Sequence, residues 1–167
     1  MTFKNTIKNV TIGSDPEMFL YSVKEQKYIP VCGLVGGTKE KPLPITDKGH
    51  FIQEDNVAVE FCIPPCKNVE EFVDNINFVK NYIQTKILNE KELILKCISS
   101  TRFEFDDLQS EQAQLFGCEA DYNAYTFKEN VIDKSKVDPL LRSAGFHIHI
   151  GYDNPDLDAS LELIKAF

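Results

Sequence analysis

The alternation of polar and apolar residues predicts a first β-strand over residues 11–21. Successive side chains of a strand point to opposite faces, so Asp15 and Glu17 share one face while Met18 lies on the other. Pro16 has no N–H to donate to a neighbouring strand. We therefore expect this strand to lie at a sheet edge or to contain a bulge at Pro16.

A second strand pattern covers residues 57–63. Its bulky apolar face consists of Val57, Val59, Phe61 and Ile63. Glu60 lies on the opposite face between the small residues Ala58 and Cys62, which leaves room beside it for a ligand. The pair Pro64-Pro65 is predicted to end the strand.

A third strand pattern, over residues 146–152, alternates strictly. His147 and His149 share one of its faces, whereas Phe146 and Ile148 share the other. Two imidazoles are therefore predicted to point to the same side of one strand.

The remaining pattern predicts helices, loops and shorter strands. Asn68 followed by Glu71 is typical of a helix N-terminus, and a long amphipathic helix is predicted to follow it. The apolar stripe of this helix consists of Val69, Phe72, Val73, Ile76, Val79, Ile83 and Ile87. Further strands are predicted over residues 28–32 and 93–98, a loop over 33–44, a short helix over 110–116 and a last helix starting at Asn154-Pro155. This order of elements favours an α+β fold over a doubly wound sheet.

Composition narrows the class of protein. The chain has 167 residues, with 18 Lys+Arg against 26 Asp+Glu, and its net charge of −8 disfavours nucleic-acid binding. A 43% apolar content predicts one globular domain over residues 1–167. No apolar run approaches the ~20 residues that cross a membrane, and the N-terminus lacks a secretory signal pattern. The five cysteines, an odd number, indicate reduced thiols and a cytoplasmic protein.

The polar faces of the predicted strands carry the strongest chemical signal. They present Asp15, Glu17, Glu60, His147 and His149. Carboxylates combined with imidazoles suit a hard divalent cation such as Mg²⁺ or Mn²⁺. The alternative is that the histidines are hydrogen-bonded sheet residues and the acids are solvated. The pattern disfavours a zinc site, a catalytic cysteine and a P-loop, because the ligand spacings and partner residues of each are missing.

The chain contains two arginines, Arg102 and Arg142. Arginine is the usual bidentate partner of phosphate and carboxylate groups. Arg142 lies just before the histidine-bearing strand, so it is the better candidate for contact with an anionic substrate. The alternative is an ordinary surface arginine.

Three segments together resemble the phage carboxylate-amine ligase (amidoligase) family. They are IGSDPEMFL (residues 12–20), DNVAVEFCIPP (residues 55–65) and RSAGFHIHIGY (residues 142–152). This family belongs to the superfamily of glutamine synthetase and glutamate-cysteine ligase. The resemblance implies a glutamine synthetase-like catalytic domain, which has a curved antiparallel sheet with helices on one face. It also implies that this domain binds ATP together with Mg²⁺ or Mn²⁺.

The resemblance also implies roles for individual residues. It assigns metal binding to Asp15, Glu17, Glu60 and His147, nucleotide contacts to His149 and Arg142, and catalysis to Glu60 and Arg142. The segment Asp121-Tyr122-Asn123 resembles a further family motif.

The implied reaction transfers a phosphoryl group from ATP to a substrate carboxylate, and an amine then attacks the acyl phosphate to form an amide or isopeptide bond. The substrates would be small molecules or peptides. The resemblance covers only the N-terminal part of the family's domain, so a second polypeptide or a missing C-terminal part is expected to complete the site. A metal-dependent hydrolase without nucleotide, and a non-catalytic phage binding or structural protein, stay open as alternatives.

Overall fold

The computed structural model describes residues 7–115, 122–130 and 136–166. Its strands are β1 (Thr11–Ser22), β2 (Lys27–Ile29), β3 (Leu43–Pro44), β4 (Phe51–Asp55), β5 (Ala58–Cys66), β6 (Leu93–Lys96), β7 (Ser100–Arg102), β8 (Leu141–Ser143) and β9 (Phe146–Gly151). Its α-helices are α1 (Val69–Tyr82), α2 (Glu111–Gln114) and α3 (Leu157–Lys165), with a π-helical turn at Ile83–Ile87 and a 3₁₀ turn at Phe105–Leu108. Residue Asp121 of the further family motif lies outside the described residues.

The strands form a curled antiparallel sheet, and the fold is α+β as predicted. The main sheet has seven strands in the described chain, with the path β2-β1-β5-β4-β3 and with β6 and β9 also paired to β1. Strands β7 and β8 form a separate pair. Within the described residues, no helix is long and apolar enough to span a membrane.

Strand β1 lies at the centre of the sheet, so the predicted edge position is wrong. Strands β5 and β9 pair with its first part, β6 pairs with its last four residues, and β2 pairs with its last three. Pro16 is the last β1 residue paired with β9, where it lies opposite Phe146. A proline at the end of a ladder removes little hydrogen bonding, which explains how a central strand tolerates it.

Strand β5 runs on through Pro64-Pro65 to Cys66, so the predicted end of this strand is also wrong. The register against β1 shifts there: Ser14 lies opposite Ile63, whereas Ile12 lies opposite Cys66. The two prolines therefore occupy a β-bulge, where an unpaired residue needs no donor. The bulge that the sequence predicts lies at these prolines rather than at Pro16.

Strand β4 was not predicted, although it forms a hairpin with β5. Asn56 makes the turn between them with a positive φ of 53°, a conformation that asparagine tolerates better than most residues. The strand contains the acidic residues Glu54 and Asp55, which hide its alternation. Its buried residue Ile52 pairs with Phe61 of β5 and fixes which side of β4 faces the core.

Helix α1 covers one face of the sheet and begins as predicted. Asn68 accepts a hydrogen bond from the Glu71 N–H at 2.8 Å, and the Glu71 carboxylate accepts one from the Lys67 N–H. The core beneath the helix includes Met18, Leu20, Val59, Phe61, Ile63, Val79 and Ile83. The predicted apolar stripe is only partly correct, because Val69 and Val73 are exposed.

A second apolar cluster covers part of the opposite face of the sheet. It contains Phe19, Val57, Ala58, Phe103, Leu108 and Ala113. Ala113 belongs to α2 and Leu108 to the 3₁₀ turn, so helical segments lie on both faces and the expectation of helices on one face is wrong. This cluster closes one end of the face that bears the predicted site residues.

Other boundaries differ modestly from the predictions. Strands β2 and β6 are shorter than predicted, and α2 ends before residue 116. Helix α3 begins at Leu157 because Asp156, rather than Asn154, supplies the N-cap by accepting the Ala159 N–H. The side chains of Leu157 and Ile164 on this helix are exposed.

The two positions Val79 and Val73 of α1 test which side of the helix stabilises the fold. Val79 is 0% exposed and Val73 47% exposed. We expect Val79→Ala to lower the free energy of unfolding by about 2 kcal/mol, through lost burial and a cavity, and to lower Tm by about 4–8 °C. Val73→Ala, the control, is expected to change stability by about 0.5 kcal/mol or less. Equal effects in calorimetric melts would contradict this packing.

Candidate functional site

The strand register brings the five predicted site residues to one face of the sheet, which we call the polar face: Asp15, Glu17, Glu60, His147 and His149. Glu17 lies directly opposite Glu60 across β1 and β5. Asp15 lies opposite His147 across β1 and β9, and His149 lies two pairs further along, opposite Gly13. Residues paired across antiparallel strands point to the same side, so the sheet itself assembles this set.

Asp15 lies between the two histidines. Its Oδ1 atom is 3.3 Å from Nδ1 of His147 and 3.2 Å from Nε2 of His149. The same oxygen is buried and accepts no hydrogen bond of acceptable geometry in the described chain. A buried acceptor without a partner costs about 1–3 kcal/mol, so this oxygen has a strong tendency to bind a donor or a cation. The imidazoles are more than half exposed, so solvent and small ligands reach the site from the β9 side.

Glu17 is held by the main chain of the segment that enters β9. Its Oε2 accepts the Gly145 N–H at 2.8 Å, and its own N–H donates to the Gly145 carbonyl at 2.9 Å. A Cβ at residue 145 would lie 3.3 Å from Oε1 of Glu17, which is tighter than an ordinary contact, so a glycine favours this close approach. Burial nevertheless raises the pKa of Glu17 above its usual value, and the nearby Asp55 and Asp15 raise it further.

Glu60 is the most enclosed acid of the polar face, with 8% of its surface exposed. Its Oε2 accepts a hydrogen bond from Nε2 of Gln53 at 2.5 Å. Burial raises the pKa of Glu60, and the carboxylates of Asp55, Asp15 and Glu17 raise it too. The hydrogen bond from Gln53 opposes this rise because it stabilises the ionised form.

Cys62 lies beside Glu60 on the same face of β5. Burial together with Glu60 and Asp15 raises the pKa of its thiol to about 11. The thiol is therefore protonated near neutral pH, and only the thiolate is a good nucleophile.

Arg142 occupies a different environment from the one predicted. It is 7% exposed, and its guanidinium donates to the main-chain carbonyls of Pro139, Leu141 and Ala113 at 2.8–3.0 Å. These bonds tie β8 and the segment before it to α2. Three of the five N–H donors of the guanidinium are used in this way, and the predicted contacts of Arg142 with nucleotide and substrate stay a prediction.

Glu54 of β4 anchors residues 33–37, which we call the glycine-rich loop. Its carboxylate accepts the N–H groups of Gly33, Val35 and Gly36 at 2.7–2.9 Å and a weaker bond from Gln112 of α2. These donors lower the pKa of Glu54 although burial opposes them. The loop is therefore bound to an internal carboxylate instead of presenting a free set of N–H groups to a phosphate.

The donor set of the polar face fits a hard divalent cation in its chemistry. Besides burial, neighbouring carboxylates raise the pKa values of Glu17 and Glu60, and Asp15 has a buried oxygen without a hydrogen bond. A cation would relieve both conditions. In the described residues, however, no group of three or more His, Cys, Asp or Glu side chains is arranged so that it could hold a metal ion. Binding would require the side chains to change rotamer.

Sequence reasoning missed Gln53, Asp55 and Gly145 as parts of this site. Gln53 and Asp55 belong to the unpredicted strand β4, which places Gln53 opposite Glu60. The signal for them is the apolar residue Ile52, which is buried. The residues on either side of a core position in a strand face away from the core, so Gln53 faces the polar side. Gly145 was part of a quoted motif, but its contact with Glu17 depends on register and leaves no trace in the spacing.

Comparison of the chain with protein-family models, with curated proteins and with solved structures found no match. The amidoligase resemblance therefore stays a prediction from the three quoted segments. What the structure adds is the position of their polar residues relative to one another.

The raised pKa of Glu60 predicts how stability depends on pH. The folded protein binds this proton more tightly than the unfolded chain, whose pKa is near 4.5, so stability is lost as the pH rises through the folded pKa. Glu60→Gln removes the ionisation, so we expect its Tm, measured without divalent cations, to exceed that of the wild type near neutral pH. The difference should vanish below about pH 4.

The exposed Glu90 provides the control for this experiment. Glu90→Gln removes the same charge from the net total and should leave the dependence of Tm on pH unchanged. If the Tm of the wild type and that of Glu60→Gln change with pH in parallel, ionisation of Glu60 does not destabilise the folded protein.

Proposed function

We propose that this protein is an ATP-dependent carboxylate-amine ligase with a glutamine synthetase-like fold, and that Mg²⁺ or Mn²⁺ binds at its polar face. The observation that carries the proposal is the register of β1, β5 and β9. It brings the acids of two quoted segments and the histidines of the third onto one side of a curled antiparallel sheet. The same residues were implied as the metal and nucleotide site by the sequence resemblance alone.

The charge of the protein supports a role for cations. A chain of net charge −8 repels the phosphates of ATP, and the acids of the polar face add to that repulsion locally. Asp15, Glu17, Glu60 and His147 would hold the divalent cation, and His149 lies beside them for contact with the nucleotide. When bound, the cation would neutralise phosphate charge and stabilise the charge that develops during phosphoryl transfer.

The proposed reaction has two steps. A substrate carboxylate oxygen forms a bond to the γ-phosphorus of ATP as the bond from that phosphorus to ADP breaks. An amine nitrogen then forms a bond to the acyl carbon, the carbon–oxygen bond to phosphate breaks with its electron pair, and the amine releases a proton. Arg142 has no part in this proposal because its guanidinium is bound to main-chain carbonyls.

Calorimetric titration with ATP, in the presence and absence of Mg²⁺, tests the proposal. We expect binding that requires Mg²⁺. In Glu17→Gln the amide oxygen can still accept the Gly145 N–H, so the fold is retained while an anionic ligand is lost. We expect this variant to lose about 100-fold or more in affinity for MgATP, above the range typical of residues that only support metal ligands.

Glu90→Gln is the matched control and should bind MgATP like the wild type. Equal affinity in the wild type and Glu17→Gln would contradict a nucleotide site on the polar face. Turnover of an amide or ester in the presence of the metal but without ATP would instead favour a hydrolase.

A further inference from the structure

A buried glutamine contacts the most enclosed acid of the polar face. Gln53 is 6% exposed, and its Nε2 donates to Oε2 of Glu60 at 2.5 Å. We propose that Gln53 is a positioning residue, which fixes the orientation of the Glu60 carboxylate for a divalent cation. This inference rests on the proposed function, because it assumes that Glu60 is a metal ligand.

The strand register determines this contact. Gln53 of β4 lies opposite Glu60 of β5, and Glu60 lies opposite Glu17 of β1. The three side chains therefore form one row across the sheet, with the amide at the end farther from β9. A donor at this end can orient Glu60 without standing between Glu60 and the rest of the polar face.

The backbone of Gln53 is fixed on both sides. Ile52 is fully buried and pairs with Phe61, while the Glu54 carboxylate is held by the N–H groups of the glycine-rich loop. Strand β4 thus has little freedom to shift or twist at residue 53. A donor on such a support holds its partner in one orientation at a small entropic cost.

The chemistry of the amide suits a support for a metal ligand. Lys or Arg at this position would form an ion pair with Glu60 and compete with a cation for its charge. A neutral amide donates one hydrogen bond and leaves the carboxylate charge in place. Since a carboxylate can accept about four hydrogen bonds, most of its acceptor capacity stays available for another ligand.

The test measures Mn²⁺ binding by calorimetry, with the metal alone, in the full chain. We expect Gln53→Met, which keeps the length of the side chain but removes the donor, to weaken Mn²⁺ binding by about 10–100-fold. If that variant does not fold, Gln53→Asn keeps an amide but is too short to reach Glu60, and the same loss is expected. The control is Gln84→Met, since Gln84 is a half-buried glutamine whose amide bonds the main chain of Leu93 and Leu95 on β6, a strand that does not pair with β5.

A double variant separates positioning from general structural damage. If Gln53 acts through Glu60, Gln53→Met should add no further loss of Mn²⁺ affinity to Glu60→Gln. Wild-type affinity in Gln53→Met, or a loss that adds in full to that of Glu60→Gln, would overturn the inference. A wild-type chain that binds neither Mn²⁺ nor MgATP would overturn the proposed function, and the role of Gln53 would fall with it.

Discussion

The pairing of β1 along both of its edges is the constraint on which the rest of this structure depends. Its first part lies between β5 and β9, and its last residues lie between β2 and β6. Because one strand sets the register of four others, its alternation is imposed on the whole sheet. One side becomes the apolar core beneath α1, and the other becomes the polar face. A shift of one residue in β1 would send Asp15 and Glu17 into the core, so the core and the polar face specify each other.

The polar face is assembled at an electrostatic cost. Glu17 is half-buried and Glu60 is buried, both near other carboxylates, and both have raised pKa values. The protein reduces this cost with neutral donors, the Gly145 N–H and the Gln53 amide, rather than with lysine or arginine. Residues that served only stability would be better placed apart or paired with cations. Retaining the acids together while keeping their charge available is the pattern expected of a site that binds a cation from solution.

Much of this arrangement could be predicted from the sequence, because alternation reports directly on which residues share a face. The polar sides of β1, β5 and β9 were predicted correctly, since strict alternation places Asp15 with Glu17 and His147 with His149. The predicted apolar face of β5 was right for Val59, Phe61 and Ile63, whereas Val57 belongs to the second cluster. Strand β4 was missed because its acids mask a short alternation, and with it Gln53 and Asp55 were missed. The burial of Arg142 could not be predicted from the sequence either. Its guanidinium donates to the main-chain carbonyls of Ala113 and Pro139, and every residue has such a carbonyl. Two predictions based on proline were wrong, the end of β5 and the edge position of β1. Pro64 and Pro65 lie in a bulge of β5, and Pro16 lies at the end of the ladder between β1 and β9.

The two halves of the polar face differ in how firmly they are held. Glu17 and Glu60 lie on central strands with packed neighbours, whereas His147 and His149 lie on β9, which pairs with β1 in the described chain and has exposed Phe146 and Ile148 on its other side. Strands with few buried contacts open locally at lower free energy than the core does. We therefore expect the histidine half to open locally at a lower free energy than the acid half. A ladder of six residue pairs holds β9 against β1, so a ligand that contacts both halves would add its binding free energy to this pairing. Asp15 connects the two halves, because its Oδ1 lies 3.3 Å from Nδ1 of His147 and 3.2 Å from Nε2 of His149.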